Sequence, residues 1–251
     1  MRPDVRVIPV LDLKGGVAVH AVRGERHAYA PVRSVLSASS DPVELARAFQ
    51  QRLRSDTCYV ADLDAIARTG DHGPTVQAIA ALGLSVWLDA GVATGDEARR
   101  AVSLGAARVI VGTETLGDLN DLTAIADAVE AVSRSRVDCI LSLDHREGRL
   151  LGGSSAVAEA GVLDVAAAAW AAGIRTFIVL DLARVGARAG PETEPARRLR
   201  GRLPEAEVVL GGGVRGPDDL RALASAGYHG ALVGTALHTG ALGATDLARL
   251  G

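Results

Sequence analysis

The sequence predicts an α/β protein built as a single (βα)8, or TIM, barrel, and three observations lead to this fold class. Short runs rich in β-branched residues alternate with Ala, Leu and Arg segments of helical period, a pattern typical of repeated βα units and a parallel sheet. Eight such units share 251 residues, about 31 residues each, which suits a strand, a helix and two connections. The chain also contains an internal repeat that relates its two halves.

The strands are predicted where apolar and β-branched residues cluster between turn residues. The first strand covers Val5–Leu13, and the fifth, in the equivalent position of the second half, covers Val137–Leu143. The other six are Thr57–Ala61, Ser85–Leu88, Arg108–Val111, Thr176–Leu180, Glu207–Leu210 and Ala231–Val233. Because aromatic residues make up only 3% of the chain, we expect Val, Leu, Ile and Ala to fill the core.

Helical segments are predicted after most of these strands. Examples are Pro42–Leu53, Asp96–Leu104, Leu119–Val132, Val162–Ala172, Glu192–Leu203 and Pro217–Ala226. The longest irregular stretches are Gly15–Ser40 after the first strand and Arg146–Ala160 after the fifth. Since no linker rich in Pro, Gly or Ser divides the chain, residues 1–251 are expected to form one domain.

The internal repeat lies in the second part of each half. Residues 88–113 align without a gap on residues 210–235, at an offset of 122, and 10 of the 26 aligned positions are identical. The identical pairs include Gly91 with Gly213 and the dipeptide Gly112-Thr113 with Gly234-Thr235. A four-unit half barrel that is repeated twice closes into an eight-stranded barrel, which leaves no exposed sheet edge.

Two aspartates are the candidate catalytic residues. Asp12 and Asp144 stand near the ends of the first and fifth strands, so a barrel places them opposite each other at the face where the βα loops open. Two carboxylates that face one ligand can act as base and acid when their environments separate their pKa values. The alternative is that each aspartate caps a loop by accepting backbone hydrogen bonds. The matched placement in the two halves favours catalysis.

A phosphate site is predicted at Gly212, Gly213, Gly234 and Thr235. These residues follow the seventh and eighth strands, where barrels of this kind commonly bind phosphate. Glycine lets backbone amides approach an anion closely, and a helix N-terminus adds partial positive charge. The alternative is that the glycines only form tight turns.

The corresponding first-half segment is a weaker candidate for binding an anion. It keeps Gly91, Gly112 and Thr113, but Asp89 and Ala93 replace the glycine and arginine of the second half. A carboxylate repels phosphate, so Asp89 would bind a hydroxyl or an amine, or cap the next helix. Asp62 and Asp181, near the ends of the second and sixth strands, are further candidates for substrate contacts; for Asp62 a solvated loop is the alternative.

Composition and motifs exclude several classes of function. A formal net charge of −3 gives no polybasic surface for nucleic acid, and the most apolar segment is too short for a membrane-spanning helix. The two cysteines form no CxxC pair, and the six histidines form neither HxH nor HExxH, so neither a metal nor another cofactor is expected. The chain shows no signal-peptide pattern, which predicts a cytoplasmic protein.

Four segments resemble the histidine-biosynthesis isomerase/cyclase family. They are IPVLDLKGG (8–16), LSLDHREG (141–148), LGGGVRGPDDL (210–220) and ALVGTAL (231–237). The resemblance implies two phosphate sites for a bis-phosphorylated substrate and an Amadori rearrangement, in which Asp12 removes the C2 proton and Asp144 helps to open the ribose ring. The cyclase members need a glutaminase partner, and nothing in this sequence identifies an interface for one.

The chain departs from the family pattern at three places. Asp89-Ala90-Gly91 stands at a glycine-rich motif, Val185-Gly186-Ala187 stands at an Asp-Gly-Thr motif, and His20 stands at a basic position after the first strand. The leading hypothesis is a divergent phosphosugar isomerase of the aldose–ketose type. The alternatives are a homologue in another pathway, such as modified-cofactor biosynthesis, and a non-catalytic protein that binds a phosphorylated metabolite.

Overall fold

A closed parallel barrel forms the centre of the molecule. The computed structural model describes residues 5–132, 137–187, 190–191 and 193–249. Its strands are β1 (Arg6–Lys14), β2 (Val17–His20), β3 (Ala30–Pro31), β4 (Thr57–Asp62), β5 (Ser85–Asp89), β6 (Ala106–Gly112), β7 (Asp138–Arg146), β8 (Arg149–Leu150), β9 (Thr176–Asp181), β10 (Glu207–Gly211) and β11 (Gly230–Val233). Eight of them pair in the order β1-β4-β5-β6-β7-β9-β10-β11, and β11 pairs back to β1. The predicted (βα)8 barrel is confirmed.

The three remaining strands lie inside the two stretches that were predicted to be irregular. β2 runs antiparallel to β1 and pairs with β3, so the chain after β1 forms a small extension of the sheet. β8 runs antiparallel to β7 and occupies the equivalent place in the second half. The prediction of irregular structure was therefore wrong at these strands, which are short and carry no hydrophobic alternation.

Helices cover the outside of the barrel. They are α1 (Pro42–Leu53), α2 (Leu63–Ile66), α3 (Gly73–Ala80), α4 (Gly95–Ser103), α5 (Asp121–Val132), α6 (Ser155–Ala171), α7 (Glu194–Arg202), α8 (Pro217–Ala226), α9 (Thr235–His238) and α10 (Ala244–Leu247). The bounds of α1 and α8 agree with the prediction. The predicted start of the sixth helical segment, Glu192, lies outside the described residues. Within those residues no helix is long and apolar enough to span a membrane.

Among the helices of eight or more residues, two differ clearly from the prediction, and the four-residue helices α2, α9 and α10 were not predicted either. α6 begins at Ser155 rather than at Val162, and Ser154 caps it by accepting a hydrogen bond from the Val157 N–H. Gly161 interrupts its helical geometry with a φ of +77°, which explains why the regular pattern starts only after that residue. α3 was missed because it is eight residues long and opens on Gly73 and a proline.

The barrel interior is filled by large apolar side chains below the carboxyl ends of the strands. One cluster takes a buried residue from each barrel strand. These residues are Ile8, Tyr59, Trp87, Ile110, Ile140, Ile178, Val209 and Leu232. A second, larger cluster lies between the strands and the surrounding helices. The apolar interior closes one end of the barrel and leaves an open cavity at the other.

Candidate active site

A cavity opens at the carboxyl ends of the barrel strands, where the fold places its βα loops. It encloses about 1130 Å³ of empty space, including its mouth, which is enough for a small-molecule ligand. Seven of the twelve candidate site residues line it, namely Asp12, Asp89, Asp144, Gly212, Gly213, Gly234 and Thr235. The two candidate catalytic aspartates therefore face one common space.

Asp12 lies near the end of β1, in register with Val19 of β2 and with Ala61 of β4. Its carboxylate is partly exposed to the cavity. The pKa of Asp12 is raised to about 7, because burial and then the negative charge of Asp89 raise it while the guanidinium of Arg26 acts in the opposite direction. A carboxyl group in this state accepts and releases a proton near neutral pH.

Asp144 is buried near the end of β7. The Ser142 hydroxyl donates a hydrogen bond of 2.7 Å to its carboxylate, and its backbone N–H donates to the Thr113 hydroxyl at 3.0 Å. Burial raises the pKa of Asp144 well above its ordinary value, and the charges of Glu114 and Asp89 add to this increase. The raised pKa favours the protonated form of Asp144.

Gly112 makes room for the Asp144 carboxylate. A Cβ atom at Gly112 would lie 3.0 Å from Asp144 Oδ2, so even alanine would crowd that oxygen. The glycine of the internal repeat thus has a steric role beside the candidate acid.

Asp89 is the last residue of β5 and is also buried. It accepts hydrogen bonds from the Tyr59 hydroxyl at 3.0 Å and from the Gly91 backbone N–H at 3.2 Å. Burial and the charge of Glu114 raise the pKa of Asp89 to about 6. Asp89 faces the cavity and accepts a bond from its own loop, but it does not cap the next helix, because Thr94 caps α4 by accepting from the Glu97 N–H. A contact between Asp89 and a ligand hydroxyl or amine stays a prediction.

Arg26 and Glu114 are cavity residues that the sequence did not reveal. Arg26 belongs to the long segment after β1, and its guanidinium pairs with the Glu114 carboxylate at 2.5 Å. Arg26 belongs to no recognisable motif, and the sequence positions of two loops do not show whether the loops are in contact in the fold. Glu114 could have been noticed, because it directly follows Gly112-Thr113 whereas Ala236 follows Gly234-Thr235.

The candidate phosphate site lies across the cavity. Gly212 and Gly213 have φ angles of +88° and +87°, and a Cβ atom at Gly213 would lie only 2.4 Å from the Gly190 carbonyl oxygen. Tight packing therefore requires these glycines whether or not an anion binds. The Thr235 hydroxyl lies 2.9 Å from His20 Nε2, and both side chains line the cavity.

Five further candidates for substrate contacts do not line the cavity, namely Asp62, Gly91, Gly112, Thr113 and Asp181. Asp62 accepts a hydrogen bond from the His72 backbone N–H, and its carboxylate lies 2.8 Å from His72 Nδ1. Asp181 accepts from the Ala183 N–H and pairs with Arg184. In this structure these two carboxylates hold loops, and their contact with substrate stays a prediction. Across the described ranges, no three His, Cys, Asp or Glu side chains group as a metal site.

The closed barrel and the carboxylates at its open end define a (βα)8-barrel protein with an enzyme-like cavity. Residues 6–243 match the family described as Histidine biosynthesis protein. The chain belongs to this family, as its sequence motifs predicted.

Curated relatives agree with this assignment. Over 237 residues the chain is 34% identical to a Thermus thermophilus protein named 1-(5-phosphoribosyl)-5-((5-phosphoribosylamino)methylideneamino)imidazole-4-carboxamide isomerase, covering 94% of this chain and 95% of the relative. A Rubrobacter xylanophilus protein of the same name is 33% identical over 239 residues, covering 93% of this chain and 91% of the relative. An uncharacterised protein of Methanocaldococcus jannaschii is 32% identical over 240 residues, covering 95% of each chain. The predicted enzyme class, an isomerase, is confirmed at the level of the family.

Proposed function

We propose that this protein catalyses an aldose–ketose isomerisation of a phosphorylated aminosugar, with Asp144 as the general acid and Asp12 as the general base. The observation that carries the proposal is that Asp12 and Asp144 line one cavity in different surroundings, Asp144 buried beside the Ser142 hydroxyl and Asp12 partly exposed, while burial raises the pKa of both. Two carboxyl groups that titrate apart can divide the roles of acid and base.

The proposed reaction begins with ring opening. In its protonated form, which the raised pKa favours, Asp144 donates its proton to the ring oxygen of the sugar as the bond between that oxygen and C1 breaks. The nitrogen on C1 supplies the electron pair, so an open-chain iminium forms. The hydrogen bond from Ser142 stabilises the carboxylate that Asp144 becomes.

Proton transfer at carbon completes the rearrangement. The Asp12 carboxylate removes the proton from C2, and the electrons of that bond move to C1 and the nitrogen to give an enaminol. Return of a proton to C1 and loss of the C2 hydroxyl proton give the aminoketose. The step is redox-neutral within one molecule, so it requires no external oxidant or reductant.

The phosphate of the substrate is proposed to bind at the opposite side of the cavity, at Gly212, Gly213, Gly234 and Thr235. The positive φ angles at Gly212 and Gly213 turn the backbone close to the cavity. The Thr235 hydroxyl is a further donor, and His20 lies within hydrogen-bonding distance of it. A ligand held there would place its sugar between Asp12 and Asp144.

The proposal is tested by incubating the enzyme with phosphorylated aminoaldoses in D2O. We include the substrate named for the Thermus thermophilus relative and pentosylamine 5-phosphates. Formation of an aminoketose that carries deuterium from solvent, followed by NMR and mass spectrometry, is the expected result. Absence of both product and exchange with every substrate that binds would reject the isomerase assignment.

The raised pKa values also predict how activity depends on pH. The turnover rate kcat is expected to rise through about pH 7 as Asp12 loses its proton, and to fall at higher pH when Asp144 loses its own. A pH profile with no ascending limb near neutrality would contradict the role of Asp12.

Ser142→Ala is expected to move the descending limb to higher pH. The lost hydrogen bond favours the ionised form of Asp144, so its removal raises the pKa of Asp144 further. A net hydrogen-bond contribution of about 0.5 to 1.5 kcal/mol corresponds to about half to one pH unit. Ser103→Ala, in an exposed serine of α4, is the matched control and should leave the profile unchanged.

A further inference from the structure

We infer that the substrate carries only one phosphate and that its opposite end presents a hydroxyl or amine donor, which Asp89 recognises. The inference rests on the proposed function, because it concerns the ligand of the same cavity. Asp89 would then determine the substrate specificity. The substrate would differ from that of the Thermus thermophilus relative, whose name specifies a substrate with two phosphoribosyl groups.

The internal repeat allows the two ends of the cavity to be compared position by position. Asp89 aligns with Gly211, and Gly91 aligns with Gly213. The Gly91 N–H already donates to the Asp89 carboxylate at 3.2 Å, whereas Gly211 has no side chain that could accept from Gly213. A backbone donor that could bind an anion in the first half is therefore occupied by the chain's own carboxylate.

The residues that follow Gly91 and Gly213 do not account for this difference between the halves. The Ala93 N–H donates to Glu97 at 2.8 Å, and the aligned Arg215 N–H donates to Asp219 at the same distance. Both halves thus share this outer bond. The two halves differ instead at Asp89, which lines the cavity at the end of β5.

The repeated threonine also differs between the halves. Thr113 is fully buried, its N–H donates to the Ser142 carbonyl, and its own carbonyl accepts from the Gly153 N–H. Its hydroxyl accepts from the Asp144 N–H. Thr235, in contrast, lines the cavity. The first-half threonine is thus engaged by the protein, while its second-half counterpart faces the ligand space.

Packing of the loop after β8 keeps the first-half threonine covered. A Cβ atom at Gly153 would lie 2.6 Å from the Leu116 carbonyl oxygen, so this loop sits directly on the segment that follows Thr113. A phosphate at this position would have to displace the loop as well as the Gly91 hydrogen bond.

Charge leads to the same conclusion. Among the cavity-lining residues of the described chain, Arg26 is the only arginine or lysine, and it is paired with Glu114. A second phosphate would approach Asp89 and Glu114 without a further cation in the cavity lining, which is repulsive in a partly buried site. Arg68, outside the lining, donates to the Gly91 carbonyl and is paired with Glu97. A hydroxyl or an amine would instead donate a hydrogen bond to Asp89, whose carboxylate has lone pairs beyond the two bonds from Tyr59 and Gly91.

The test compares a matched pair of ligands by calorimetric titration. A pentose 5-phosphate and the corresponding 1,5-bisphosphate are titrated into wild type, Asp89→Gly and Asp127→Asn. The last variant removes an exposed carboxylate on α5 and controls for net charge. We expect the wild type and Asp127→Asn to bind the monophosphate at least tenfold more tightly than the bisphosphate.

Asp89→Gly is expected to reverse this preference, since it frees the Gly91 N–H and removes the repelling charge. We expect its affinity for the bisphosphate to rise at least tenfold over wild type. Asp89→Asn keeps an acceptor for Tyr59 and serves as a second variant if the glycine variant unfolds; its ratio of affinities should shift in the same direction. The inference would be overturned if wild type bound the bisphosphate as tightly as the monophosphate or more tightly. It would also be overturned if the ratio of the two affinities were the same in Asp89→Gly and Asp89→Asn as in wild type.

Binding and turnover separate this inference from the proposed function. Tight monophosphate binding without any isomerisation would support the inference and reject the proposed reaction. Efficient turnover of the bis-phosphorylated substrate of the relatives, with an affinity above that for a monophosphate, would support the reaction and overturn the inference.

Discussion

Asp12→Asn is expected to lower kcat by about 10² to 10⁴, the usual contribution of a positioned general base. Asparagine keeps the shape of the side chain but cannot accept the C2 proton. Since Asp12 is partly exposed and its pKa is raised mainly by burial, removal of its charge should not unfold the barrel. Thermal unfolding of the variant should therefore match wild type.

Asp144→Asn is expected to cause a loss of similar size, but at a different step. An acyclic substrate analogue, which needs no ring opening, should restore turnover and solvent deuterium exchange in Asp144→Asn and not in Asp12→Asn. The double variant should lose little more than the worse single one, because residues that act as a unit are not additive.

Kinetic constants and exchange rates for the three variants check this prediction, with Asp127→Asn as the control that should retain wild-type activity. Retention of more than a tenth of wild-type kcat by Asp12→Asn would remove it from the role of base. Rescue of Asp12→Asn by the acyclic analogue would exchange the two roles.

The barrel was predictable because its strands are buried on both faces. Such strands read as continuous β-branched runs, and all eight were located from the sequence. Their ends were harder to place. Asp62, Asp89 and Asp181 are each the last residue of a strand, yet polar residues following an apolar run look like the start of a loop.

The repeated dipeptides show where local sequence stops being informative. Gly112-Thr113 and Gly234-Thr235 are identical, but Thr113 is fully buried while Thr235 lines the cavity. The difference arises from what packs on each threonine. The Gly153 loop covers Thr113, whereas His20 lies beside Thr235. Contacts between distant loops determine the exposure, and no pattern within the dipeptide encodes them.

The candidate site was predictable where the same feature occurs at equivalent positions in both halves of the chain. Asp12 and Asp144 were identified because both halves place an aspartate near the same strand end. The Arg26–Glu114 pair joins loops that are 88 residues apart in the chain, and only tertiary structure brings them together. The sequence therefore identified the residues carried by strands more reliably than those carried by loops.

Gly213→Ala is expected to destabilise the protein by about 2 to 5 kcal/mol, because two costs add at this position. A left-handed backbone conformation costs a non-glycine residue about 1 to 2 kcal/mol, and Gly213 has a φ of +87°. A new methyl group would also meet the Gly190 carbonyl oxygen at 2.4 Å, and overpacking of this kind typically costs about 1 to 3 kcal/mol.

Gly83→Ala separates the two costs, since Gly83 has a φ of +85° and no atom within 4 Å of the added Cβ. Its expected loss is therefore only the conformational part, about 1 to 2 kcal/mol. Urea unfolding of both variants measures the two free energies of unfolding. If they agreed, the close approach of Gly190 to Gly213 would be absent in solution, and the glycine would then be required by its conformation alone. A clearly larger loss in Gly213→Ala would show that the loop before α7 packs directly on the backbone of the candidate phosphate site, and would link the geometry of that site to the stability of the barrel.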